Sequence, residues 1–123
     1  MSEVIKWMDI AGRKLLFINF RGLKGDDLRA AATRTETFFL ETPPDKNEFL
    51  PVLVDITGAI VDTKVMDKFK AMTKNIKGYQ HKTAILGMTT AKRVLLNAIN
   101  FLMGQESKTF EDENSAVDWL FSR

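Results

Sequence analysis

Along the chain, short apolar runs alternate with amphipathic stretches of helical spacing. The first run, Glu3 to Asp9, turns at Ala11-Gly12 into a second, Lys14 to Arg21, and together they predict a β-hairpin. Within Leu15-Leu16-Phe17-Ile18-Asn19-Phe20 only Asn19 is polar, so this strand is expected to be covered on both faces, as a central strand is. Asp26 then caps a helix running to about Glu41. Its inward stripe is Leu28, Ala31 or Ala32, Thr35 and Phe38 or Phe39, and Pro43-Pro44 ends it.

Phe49 to Ile56 is a second two-sided apolar strand, with Pro51 near its start, where a missing N–H is tolerated. The turn Thr57-Gly58-Ala59 follows, and Asp62 caps a helix whose stripe is Val65, Phe69, Met72 and Ile76, with Gly78 at its stop. Thr83 to Met88 forms the next strand, and Thr89 or Thr90 caps a helix through Met103 that Gly104 closes. A short strand from Ser107 to Phe110 and a last helix from about Asp112 to Phe121 complete the chain.

This order predicts an α/β fold: one domain over residues 1–123, with a mixed five-stranded sheet and four helices. The first strand is the antiparallel edge, and the later strands run parallel through right-handed crossovers. Ligands of open α/β sheets gather at the carboxyl ends of the strands, which is where Asp55, Thr57 and Asp62 fall.

Composition narrows the class. Apolar residues make up 45% and charged residues 28%, as in a soluble globular protein, and no apolar run approaches the roughly 20 residues a bilayer crossing needs. The opening MSEVIKWMDI carries two acids and no unbroken apolar stretch, unlike a signal peptide. Without cysteine there is no disulfide, thiol nucleophile or thiolate metal site. A cytoplasmic location is the expectation. The net charge of +2 conceals an asymmetry: between Lys64 and Gln105 eight basic residues face one acid, Asp67, so that segment carries +7 and the remainder −5.

Asp55 and Asp62 invite an acid/base reading, but paired carboxylates need an enclosed site and a third group to position substrate. The single histidine, His81, falls in the loop Tyr79-Gln80-His81-Lys82 with no recognisable partner. No ligand-type side chains share a metal-binding spacing, no cofactor is implied, and Gly22-x-x-Gly25 lacks the lysine and spacing of a phosphate loop. The expectation is a protein that is not an enzyme. In the plainer reading Asp62 starts a helix by accepting N–H groups of its first turn, and Asp55 bonds the backbone of the Thr57-Gly58 turn.

The hairpin, the strand Val52-Leu53-Val54-Asp55-Ile56-Thr57-Gly58, the Asp62-Thr63 helix start and the later AILGMTTAKRVLLNAINFLMG resemble, across nearly the whole chain, the STAS/SpoIIAA-like superfamily. The pattern is most similar to its small bacterial SpoIIAA-like branch, sometimes grouped with the lipid-carrying Sec14-like fold. In the anti-sigma-factor antagonists of the superfamily this segment reads Asp-Ser-Ser-Gly-Leu and a serine is phosphorylated. The resemblance carries the acid onto Asp62 and the phosphoacceptor onto Thr63, while Lys64 and Val65 stand where the second serine and glycine would be. It implies a signalling module with a regulatory protein partner, or a cleft for a lipid-like molecule.

Two helices sharpen those options. Over residues 94–103 only Asn97 and Asn100 are polar, so Leu95, Ile99 and Leu102 belong to an apolar surface wider than one stripe. The neighbouring terminal helix, through Ala116, Val117 and Leu120, or a homodimer partner is expected to cover it. The helix after Asp62 sets Met66, Phe69 and Met72 among Lys64, Lys68, Lys70 and Lys74, a composition suited to an amphipathic ligand or an anionic membrane surface, with peripheral attachment there. Nucleic acid is not expected, because Phe69 belongs to the core stripe and Tyr79 stands alone, leaving no aromatic residues among the lysines to stack bases.

Overall fold

The computed structural model of the chain describes residues 4–41, 49–75, 81–87 and 106–122. Five strands and three helices lie among them: β1 (Ile5–Ile10), β2 (Arg13–Asn19), α1 (Gly25–Glu41), β3 (Leu50–Asp55), α2 (Thr63–Asn75), β4 (His81–Leu86), β5 (Glu106–Phe110) and α3 (Glu113–Leu120). The fourth expected helix, over about residues 90–103, lies outside the described residues, as do Leu95, Ile99 and Leu102.

The strands form one sheet in the order β1-β2-β3-β4-β5. As the pattern predicts, β1 is an antiparallel edge and the other neighbours pair in parallel. The hairpin closes on Ala11 (φ 53°) and Gly12 (φ 78°), and Asp9 Oδ1 accepts the Gly12 N–H at 2.9 Å. Two central residues of positive φ match the twist of the flanking strands.

β2 is covered on both sides because its consecutive leucines enter two different cores. Leu16 and Ile18 pack under α1 and α2 with Leu28, Ala32, Val52, Val65, Phe69 and Met72. Leu15 packs on the opposite face with Leu53, Ala84 and the α3 residues Ala116, Val117 and Leu120. Period-2 alternation in a doubly covered strand demands apolar residues at every position, which is why the run reads as unbroken.

Helix boundaries follow their caps. Asp112 accepts the Ser115 N–H at 2.8 Å at the start of α3. α1 begins one residue before the expected cap, at Gly25, which leaves Asp26 and Asp27 in its first turn. Thr35, polar in an otherwise apolar stripe, is fully buried because its hydroxyl donates to the Ala31 carbonyl at 3.0 Å. β4 starts two residues earlier than expected: His81 is its first residue rather than part of a loop, and it pairs with Leu50.

Candidate functional site

The carboxyl edge of the parallel strands is extended by backbone pairing beyond the strands themselves. The Phe20 N–H donates to the Asp55 carbonyl and the Ile56 N–H to the Leu86 carbonyl, each at 2.9 Å. The two loops that follow then zip together, Gly22 N–H to the Thr57 carbonyl at 2.9 Å and Ile60 N–H to the Leu23 carbonyl at 3.0 Å, with a parallel bridge between Lys24 and Ile60. This seam sets the start of α1 beside the start of α2.

Asp55 shapes the seam. It is 8% exposed; its Oδ1 accepts the Thr57 N–H at 2.9 Å and its Oδ2 lies 3.5 Å from the Arg21 guanidinium. Asp62 is the N-cap of α2: its Oδ1 accepts the Val65 N–H at 2.8 Å, and its carbonyl accepts the Met66 N–H. Both carboxylates therefore accept backbone amides.

Between the two helix starts lies an open depression of about 460 Å³ lined by Gly25, Asp26, Arg29, Asp62, Thr63 and Lys64. Arg29 pairs with Asp26 one turn before it on α1. Thr63 and Lys64 are exposed in the first turn of α2, and Ile60 beside them leaves 58% of its surface to solvent. Thr63 and Asp62 are thus brought together at a surface; Asp55 sits behind it, under the loop.

The other residues singled out on α2 divide by depth. Phe69 and Met72 are in the core, and the Phe69 ring stacks on Phe20 with centroids 5.5 Å apart. Met66 and Lys68 are half-buried, Met66 against that same core. Arg29, Gly25 and Ile60 were not legible as site residues, because what recruits them is the pairing of residues 22–24 with residues 57–60, a contact no local pattern announces. The homodimer expectation rests on Leu95, Ile99 and Leu102, which lie outside the described residues. Among the described residues no helix is long and apolar enough to cross a membrane.

No known family profile matches the chain, and no curated protein matches it in sequence. Solved structures do. An uncharacterized protein of the DUF3478 family with a SpoIIAA-like fold, from Shewanella loihica PV-4, superposes with a TM-score of 0.70 at 19% identity, over 94% of this chain and 91% of that one. An anti-sigma-factor antagonist (STAS) domain protein from Planctomyces limnophilus superposes with a TM-score of 0.60 at 16% identity, over 96% of this chain and 98% of that one. With a sheet of one antiparallel edge and four parallel strands, and with these two likenesses along nearly its full length, the chain has a SpoIIAA-like fold.

Proposed function

We propose that the protein is a non-catalytic interaction module of the STAS kind, which docks a regulatory protein at the paired starts of α1 and α2. The observation that carries this reading is the loop seam. It presents Thr63 and Lys64, both exposed, next to Arg29 along one shallow depression, with the exposed Ile60 at its bridge to Lys24, the residue before the lining Gly25. A shallow surface with one apolar anchor and flanking cations suits a protein partner better than a small substrate, which is held in an enclosing pocket. The acids that an enzyme would need are occupied by Thr57 and Val65 amides. A solved relative in shape is an anti-sigma-factor antagonist domain protein, which supports the same class.

Thr63 is the control point of this reading. It is the first residue of α2, exposed, with Arg29 and Lys64 lining the same depression. A phosphoryl group there would gain the helix N-terminal amides and the two cations, and would change the charge of the docking surface. The amphipathic-ligand and membrane reading has less support. Val65, Phe69 and Met72 are buried, so the exposed side of α2 lacks the apolar face that an interfacial helix lays into lipid.

The test is a photo-crosslinking residue placed at Ile60 or Lys64, with a control at Asn114 on α3, in the cells that make the protein. A single protein adduct from the first two positions and none from the third is expected, and Thr63→Glu should change its yield while Thr63→Ala does not. Equal adducts from all three positions, or none from any, would remove the proposal.

A further inference from the structure

Lys82 is a buried cation on β4, 8% exposed. A buried ammonium is tolerated only where acceptors replace its water. Among the described residues, its acceptors come from the last turn of α3 and the two residues beyond it. The Lys82 Nζ donates to the Trp119 carbonyl at 2.6 Å and to the Ser122 hydroxyl at 3.2 Å, lies 3.4 Å from the Ser122 carbonyl, and sits 4.2 Å from the centre of the Trp119 ring.

The Trp119 carbonyl is the convergence point. It also accepts the Ser122 N–H at 3.1 Å and the Ser122 hydroxyl at 2.7 Å. Carbonyls at a helix C-terminus lack intrahelical donors and carry the negative end of the helix dipole, so a cation is favoured there. A second cation reaches the same end: the Arg13 guanidinium on β2 lies 5.0 Å from the centre of the Phe121 ring and 3.9 Å from Asp118. The buried apolar grip of α3 is Ala116, Val117 and Leu120 on Leu15, Leu53 and Ala84, with the half-buried Phe110 and Trp119 rings beside it. A helix of eight residues does not persist in water by itself.

We propose that α3 is a detachable strap and Lys82 its clasp: release of Trp119 and Ser122 from the ammonium lets α3 open as a unit, uncovering Leu15, Leu53 and Ala84 while the rest of the fold stands. On opening, the ammonium regains water, so the same charge that holds the closed strap lessens the penalty of the open one. This device lies on the face of the sheet opposite α1 and α2 and does not depend on the docking surface proposed above.

Hydrogen exchange of the full chain tests it. In the unmodified protein the amides of residues 113–122 should exchange through an opening with little dependence on denaturant, whereas those of residues 50–55 exchange only through global unfolding. In Lys82→Met the α3 amides should exchange about tenfold to a hundredfold faster, with residues 28–39 and 50–55 unchanged, as expected for lost charge-assisted hydrogen bonds. Lys82→Arg should restore most of the protection, and Arg13→Gln should loosen the same segment by less. Uniform acceleration across all segments in Lys82→Met, or unmodified α3 amides that exchange only with the global transition, would overturn the proposal. The second measurement decides the matter even if Lys82→Met does not fold.

Discussion

A Cβ placed on Gly87 would lie 2.5 Å from both the Cα and the backbone nitrogen of Thr57, and Gly87 itself has φ +84°. The end of β4 and the turn after β3 are thus in backbone contact, and no side-chain adjustment can make room. Gly87→Ala is expected to destabilise the fold by about 2–4 kcal/mol, from positive-φ strain together with overpacking. Urea unfolding checks this: the midpoint should fall with an unchanged slope. If the midpoint holds, the loop seam is not the rigid base of the docking surface.

Asp55 separates two roles that one side chain performs. Its bond to the Thr57 N–H is local and largely buried, whereas its partner Arg21 keeps 66% of its side chain exposed. Arg21→Ala should therefore cost less than about 1 kcal/mol, because solvent screens an exposed partner. Asp55→Ala leaves the Thr57 amide short of an acceptor and should cost about 1–3 kcal/mol. Asp55→Asn keeps an acceptor oxygen and should fall near Arg21→Ala in the same unfolding assay.

The depth of α2 predicts a sharp contrast between two neighbours. Phe69, stacked on Phe20 in the core, should cost about 3–5 kcal/mol on truncation to alanine. Met66 is half-buried, and Met66→Ala should cost about 1 kcal/mol. Thermal unfolding of the two variants checks the order. The reverse order would mean that α2 faces the sheet with a different stripe.

What the sequence made legible was whatever depends on neighbours in the chain. Leu15 and Leu16 announce a strand with two covered faces, Asp62 and Asp112 announce helix starts, and Val65, Phe69 and Met72 announce the inward side of α2. What stayed hidden depends on distant partners. Gly22 meets Thr57 only after β2 and β3 pair, so Arg29 and Ile60 do not announce themselves beside Thr63. β4 starts at His81 although His81-Lys82 reads as a loop. Lys82 is buried in a strand where the carbonyl of Trp119, 37 residues later, and Ser122 beyond it receive its ammonium.

Lys64 permits a test in which stability and docking move in opposite directions. It stands at the second position of α2, at the positive end of the helix dipole, so a lysine there gains nothing for the helix. Lys64→Glu reverses that mismatch and should stabilise the fold by about 0.3–1 kcal/mol. A partner that uses this surface should nonetheless bind the variant more weakly, because the cation beside Thr63 becomes an anion. Most variants that abolish an interaction invite the objection that they have damaged the fold. Here a raised melting temperature together with a lost Ile60 crosslink would place the lysine in recognition alone. A raised melting temperature with an undiminished crosslink would take the start of α2 out of the docking surface.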